Sequence, residues 1–321
     1  MFKKPLTISN FKRGMTLSQF SGFPQFRGID PHKIDGVASI ERKPVAFTGV
    51  TLDGLVNWTT ITNAGVVYFL TSSGKIYKTT DYSTMSQVTG NTTTNGIGNG
   101  FIFWKGCIWV MRNQLLDYYD IANSTWHSAF QTLTTANADF NPLYVGQDDC
   151  LYIGHGQFIS KLAETSVGSF SPSAETGLTF SEKVLTLSQD YKVRSFAELG
   201  DKLMLGTVYG TSPVNTKISD IFPWDRDTTH SFTLPIRLAD EGINSMITSN
   251  NLLYISSGFK GNVYVSNGVS VSLLYTVPLD TREKTGSPSA LYIQVYPDAF
   301  VFFGDELLLG VSQGSSNVSK T

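Results

Sequence analysis

The fold class predicted for this chain is all-β, a β-propeller of about six blades preceded by an extended N-terminal arm. Three observations predict it. Charged residues make up 16% of the 321 residues, while aromatics reach 12% and glycines number 29. That balance favours strands and tight turns over helices. A three-strand module recurs along the chain at a period of about 40–50 residues, the spacing of propeller blades. The second strand of most modules is a nearly continuous apolar run, as in VVYFL, CIWVM and FVFF. Such runs suit strands covered on both faces, as in a blade between two neighbours.

The modules follow in order. The first runs from Asn57 to Thr80 and the second from Asn99 to Ile121. The third spans Asn141 to Leu162, the fourth Val193 to Ile221, the fifth Ile243 to Gly268 and the sixth Leu291 to Gly314. Their second strands begin at Val66, Cys107, Cys150, Lys202, Leu252 and Phe300. The turns just before them carry Gly65, Gly106, Gly200, Asn250 and Asn251, residues that tolerate positive φ. A fourth, outer strand is expected from Trp126, from Ser231 and from Ser270. These segments are more polar, as an edge strand must be to avoid foreign pairing. The sixth module lacks such a strand, and the stretch from Ala38 to Gly49 is the expected source of a strand that closes the ring. Two facing sandwiches would explain the strand content but not the near-constant period.

Residues 1–44 do not follow the repeat, so the expected division is an arm at 1–44 and a propeller at 45–321. Phe11, Met15, Phe20, Phe23 and Phe26 are spread among Gly, Ser, Lys and Arg, with Asp30 following. Aromatic anchors without alternation read either as a docking arm on a partner or as a strap on the propeller itself. After the fourth module, Asp225, Arg226 and Asp227 following Trp224 form an individual cluster, read either as a solvated loop or as a candidate subunit contact.

The opening carries Ile8, Asn10, Phe11 and Gly14, then Asp30, Pro31, Ile34 and Gly36. A Ser-Asp-Ile segment leads to Trp224 and Asp225, and a later hairpin ends Val-Tyr-Val-x-x-Gly at Gly268. This succession resembles the structural propellers of tailed bacteriophages, of the tail-nozzle, tail-hub or head–tail junction type. The resemblance implies a non-enzymatic virion protein, assembled in the host cytoplasm into a homo-oligomeric ring through which DNA passes. It implies portal, adaptor or tail proteins as neighbours.

Composition and motifs bear on other functions. The formal net charge is −2, which gives no sign of sequence-specific nucleic-acid binding or of an anionic membrane surface. No apolar run reaches the length of a membrane span, and the early lysines are not followed by the apolar core of a signal peptide. Cys107 and Cys150 are expected as free, buried thiols. His32, His127, His155 and His230 show no metal-ligand spacing, so no metal or cofactor is expected, and His155 reads as a turn residue. A carbohydrate-binding or carbohydrate-cleaving propeller is the alternative, with Asp148, Asp149, Asp201, Asp298 and Asp305 as candidate carboxylates. However, Asp149, Asp201 and Asp298 recur at the turn before a second strand, which explains them without catalysis. Trp104 and Trp109 sit in apolar strands and are expected in the core.

Overall fold

A computed structural model describes residues 29–34, 37–40, 47–54, 56–88, 90, 100–112, 114–134, 141–210, 218–228, 232–277, 290–295, 299–303 and 306–316. The chain divides into two compact units, Met1–Thr48 and Gly49–Thr321. In the first unit, β1 (Ile29–Ile34) and β2 (Val37–Ile40) pair antiparallel. Part of the stretch expected to close the ring is therefore the partner of β1. Residues 41–46 of that stretch lie outside the described residues.

The second unit is a β-propeller. Its first blade holds β3 (Val56–Ile61), β4 (Val67–Thr71), β5 (Ile76–Thr79) and the two-residue β6 (Ser86–Gln87). The second holds β7 (Gly100–Trp104), β8 (Cys107–Arg112), β9 (Leu115–Asp120) and β10 (Thr125–Thr132). The third holds β11 (Leu143–Val145), β12 (Leu151–His155), β13 (Phe158–Glu164) and β14 (Leu178–Thr186). The fourth holds β15 (Tyr191–Leu199), β16 (Lys202–Tyr209), β17 (Ser219–Trp224) and β18 (Ile236–Leu238). The fifth holds β19 (Ile243–Ser249), β20 (Leu252–Ser257), β21 (Asn262–Ser266) and β22 (Val271–Thr276). Every blade is a four-stranded antiparallel meander in chain order. The first strands touch in succession, β3 against β7, β7 against β11, β11 against β15 and β15 against β19.

The last module departs from the expected meander. Strand β23 (Ala290–Gln294) pairs with β26 (Ser312–Ser316), and β24 (Phe300–Phe303) pairs with β25 (Glu306–Leu309). The two ladders are nested. The described propeller thus has five four-stranded blades and a terminal hairpin, against the six similar blades expected. The FVFF run led to that expectation, because an apolar hairpin strand and an apolar middle strand have the same composition.

The core is divided among the blade interfaces. Cys107, Trp109 and Met111 of β8 point toward the third blade, and Ile108 and Val110 point toward the first. Leu151 and Ile153 of β12 face the second blade while Tyr152 faces the fourth. Leu203 and Leu205 of β16 face the third, and Met204 faces the fifth. Side chains alternate along a strand, so a strand buried on both faces needs apolar residues at every position. Trp104 and Trp109 are both buried, as expected, and the Trp109 Nε1–H donates to the Trp104 carbonyl at 3.0 Å.

Candidate functional site

A connected set of ionisable side chains starts on the turns that join first and second strands and extends onto β13, β15 and the segment after β17. On those turns Gly65, Gly106, Gly200, Asn250 and Asn251 all have positive φ, as the hairpins demand. So do Lys105 and Asp149. From these turns an ionic chain runs across three blades. Lys105 of the second blade pairs with Asp149, and with Glu164 at 2.9 Å, both of the third. The Trp104 indole N–H also donates to Asp149, at 3.2 Å. Beside Asp149, Asp148 accepts from the Tyr152 hydroxyl at 2.8 Å and from Lys161 at 3.0 Å. Arg226 of the fourth blade approaches Asp148 at 3.9 Å, donates to the Asp201 carbonyl at 2.7 Å and pairs with Glu198. Glu198 closes the chain by accepting the Gln147 backbone N–H at 2.8 Å.

Electrostatics follow from these partners. Burial pushes the Asp148 carboxyl up, but hydrogen bonds from Tyr152 and Lys161 outweigh it and its pKa is lowered. Glu164 is lowered chiefly by the hydrogen bond from Lys105. Lys105 is raised chiefly by Asp149. Asp148 is thus held ionised by its donors, with 30% of its side chain still exposed. It is poorly placed as a general acid, which needs a raised pKa.

The sequence-derived candidates fall apart in space. Phe11, Met15, Phe20, Phe23 and Phe26 lie outside the described residues, as do Asp298, Asp305 and His230. Asp30 lies in β1, where its backbone pairs with Ser39. Trp224 is 1% exposed and packs edge-on to Tyr152, with its N–H on the Asp227 carbonyl at 3.0 Å. Its ring belongs to the core between the third and fourth blades, so it offers no surface for a subunit contact. Asp225 is exposed and accepts the Asp227 N–H at 3.0 Å. Arg226 points into the ionic chain. His155 is not a turn residue: it ends β12, is buried, and shares a 2.7 Å hydrogen bond with Ser160. Both thiols are free and buried.

Buried acids on the third strands were not among the sequence-derived candidates. Asp117 of β9 pairs with Arg112 and accepts the Ala129 N–H at 2.6 Å. Asp220 of β17 receives Arg237 at 2.9 and 2.8 Å and the Tyr191 hydroxyl at 2.5 Å. Their signal was an acid inside an otherwise apolar strand, LLDYYD and SDIFPW. Between the fourth and fifth blades a cleft of about 300 Å³ opens at the same turns, lined by Leu199, Asp201, Lys202, Asn251 and Val269 among others. Among the described residues no group of three or more His, Cys, Asp or Glu converges as a metal site. No helix among them is long and apolar enough to cross a membrane.

No family model matches the chain, and no curated protein matches it. Solved structures do. The β-propeller domain of Myceliophteria thermophila Cps50 (Swd1) aligns at a TM-score of 0.50 and 8% identity, over 73% of this chain and 74% of that one. The Dos1 propeller aligns at 0.50 and 14% identity, over 70% of this chain and 61% of that one. At such identities the likeness is one of fold.

Proposed function

We propose that this propeller is a non-enzymatic assembly component that works as a homo-oligomer, set in the tail or head–tail junction of a virion. The observation that carries the non-enzymatic part is the ionic chain from Lys105 to Glu198. Asp148 and Asp149, the acids nearest to a glycosidase pair, are taken up by Tyr152, Lys161, Trp104 and Lys105. Both stay solvent-exposed, Asp149 over 63% of its side chain and Asp148 over 30%, but each carboxylate is already engaged by these donors. The virion setting is supported by the motif residues from Ile8 to Gly36 and from Ser219 to Gly268.

Mass spectrometry of purified particles tests the setting. The expected result is this chain in several copies per particle, alongside portal and tail proteins. Its absence from particles would overturn the virion reading. Glycan hydrolysis by the purified chain, lost on Asp148→Asn, would overturn the non-enzymatic reading.

A further inference from the structure

The outer edge of the fifth blade differs from the other four. An outer strand is a sheet edge, and proteins guard such edges with short length, charge or bulges. Strand β6 has only two residues and β18 only three, with Arg237 between its two buried neighbours. Strand β14 carries Glu182 and Lys183, and its register shifts near Lys183, which has φ +57°. Strand β10 is broken near Ala129, with φ +54°. Strand β22 reads VSLLYT, carries no charge and is bulged as β10 is. Its inner neighbour β21 reads NVYVS and carries no charge either. What sets β22 apart is how far its apolar residues are exposed. The large apolar residues of the other edges are buried or half-buried: Leu185 is 6% exposed, Ile236 8% and Leu238 3%, and Trp126, Phe130, Leu178, Phe180 and Val184 are intermediate. By contrast Leu273 is 56% exposed, Leu274 49% and Tyr275 37%. The three are consecutive and β22 is bulged at Leu274, so apolar surface shows on both sides of the edge.

We propose that two copies of this chain pack edge to edge through β22, about a two-fold axis passing near Leu274. A two-fold contact sets each group on its axis against its own copy, so a charge at the axis meets a like charge. Neither of the two outermost strands of this blade carries a charge, whereas β18 would bring Arg237 against its own copy at such an axis. An apolar edge without charge is complementary to its own copy, and the desolvation of Leu273, Leu274 and Tyr275 drives the pairing. The contact is pairwise and stands apart from the virion setting.

Light-scattering mass measurement of the purified full chain, over a range of concentrations and salt, tests it. Wild type is expected to reach twice the 35.2 kDa chain mass, with little change on added salt. Leu274→Lys places a charge at the axis and is expected to weaken the pair by about tenfold or more in dissociation constant. Leu234→Lys, on a loop of the fourth blade where the side chain is 90% exposed, is the control and is expected to leave the pair intact. A Leu274→Cys variant is expected to form an intermolecular disulfide on mild oxidation, because the two native thiols are buried. A monomeric wild type, a dimer indifferent to Leu274→Lys, or a dimer that dissociates with salt would overturn the contact. A larger ring whose mass survives Leu274→Lys would also overturn it while leaving the virion reading standing. A chain that uses this edge only for a different protein would show itself as a monomer alone.

Discussion

Asp220 shows how a charge is kept inside a blade. Its side chain is fully buried, yet its two oxygens receive Arg237 and Tyr191. Burial pushes the carboxyl up, but the hydrogen bonds from Arg237 and Tyr191 overcome it and the pKa is lowered. Its folded pKa therefore lies below the unfolded value of about 3.9. The stability this provides is present above the unfolded pKa and is lost as pH falls through the folded one. Arg237→Ala is expected to cost about 1–2 kcal/mol, discounted because the guanidinium is largely exposed, and to move the acid limb of unfolding upward. Urea midpoints collected from neutral pH into the acid range measure both, and an unmoved acid limb would count against the assignment. At the other end of the scale of burial, Arg226→Ala leaves Glu198 enclosed with one backbone donor. That is expected to cost about 2–3 kcal/mol by the same denaturant measurement, more than Arg226→Lys, which keeps the charge. Neither pair was legible in the sequence. Asp220 and Arg237 are partners across β17 and β18, and only strand register brings them together. Asp149 was legible as a turn residue, because its place in the repeat follows from hairpin geometry alone.

Strands between blades leave little room. A Cβ on Gly206 of β16 would sit 2.7 Å from Ile243 and 2.9 Å from Met246, both of the fifth blade. Gly206→Ala is therefore expected to overpack the interface and cost about 1–3 kcal/mol, read as a lowered urea midpoint with the slope unchanged. A neutral outcome would mean that the two blades can separate slightly at no cost. Gly100 of β7 is tighter still, since a Cβ there would fall on the Asn141 backbone carbonyl, which a side-chain movement cannot relieve. At the level of elements, five of the six expected modules fold as three-strand meanders with the second strands where periodicity placed them. Two outer strands escaped notice: β6 is too short to show a pattern. Strand β14 alternates partly buried and exposed residues after a long connection, LTFSEKVLT, so it does not read as apolar.

The molecule as a whole is a series of blades whose cores lie at the boundaries. Blades two, three and four are covered on both faces by buried clusters. The terminal hairpin instead exposes Val301 and Leu308 and meets the fifth blade through the Phe302–Tyr254 ring contact at 5.3 Å. Native-state hydrogen exchange is expected to be slowest in β8, β12 and β16 and fastest in β24 and β25. Phe302→Ala is expected to lower stability by about 1 kcal/mol and to speed exchange in β20 without affecting β8. Uniform protection across the chain would instead indicate a single cooperative unit.

The propeller class, the repeat and its turns were legible in the order of residues alone. Each follows from local rules: alternation along a strand, positive φ at a tight turn, and apolar residues where both faces are covered. That the sixth module is a hairpin, that Trp224 is core, and that Lys105 pairs with Asp149 and Arg226 with Glu198 came from the packing of the blades. Those outcomes depend on which strands lie side by side, and groups 28, 44 and 51 residues apart become neighbours only once the blades have packed.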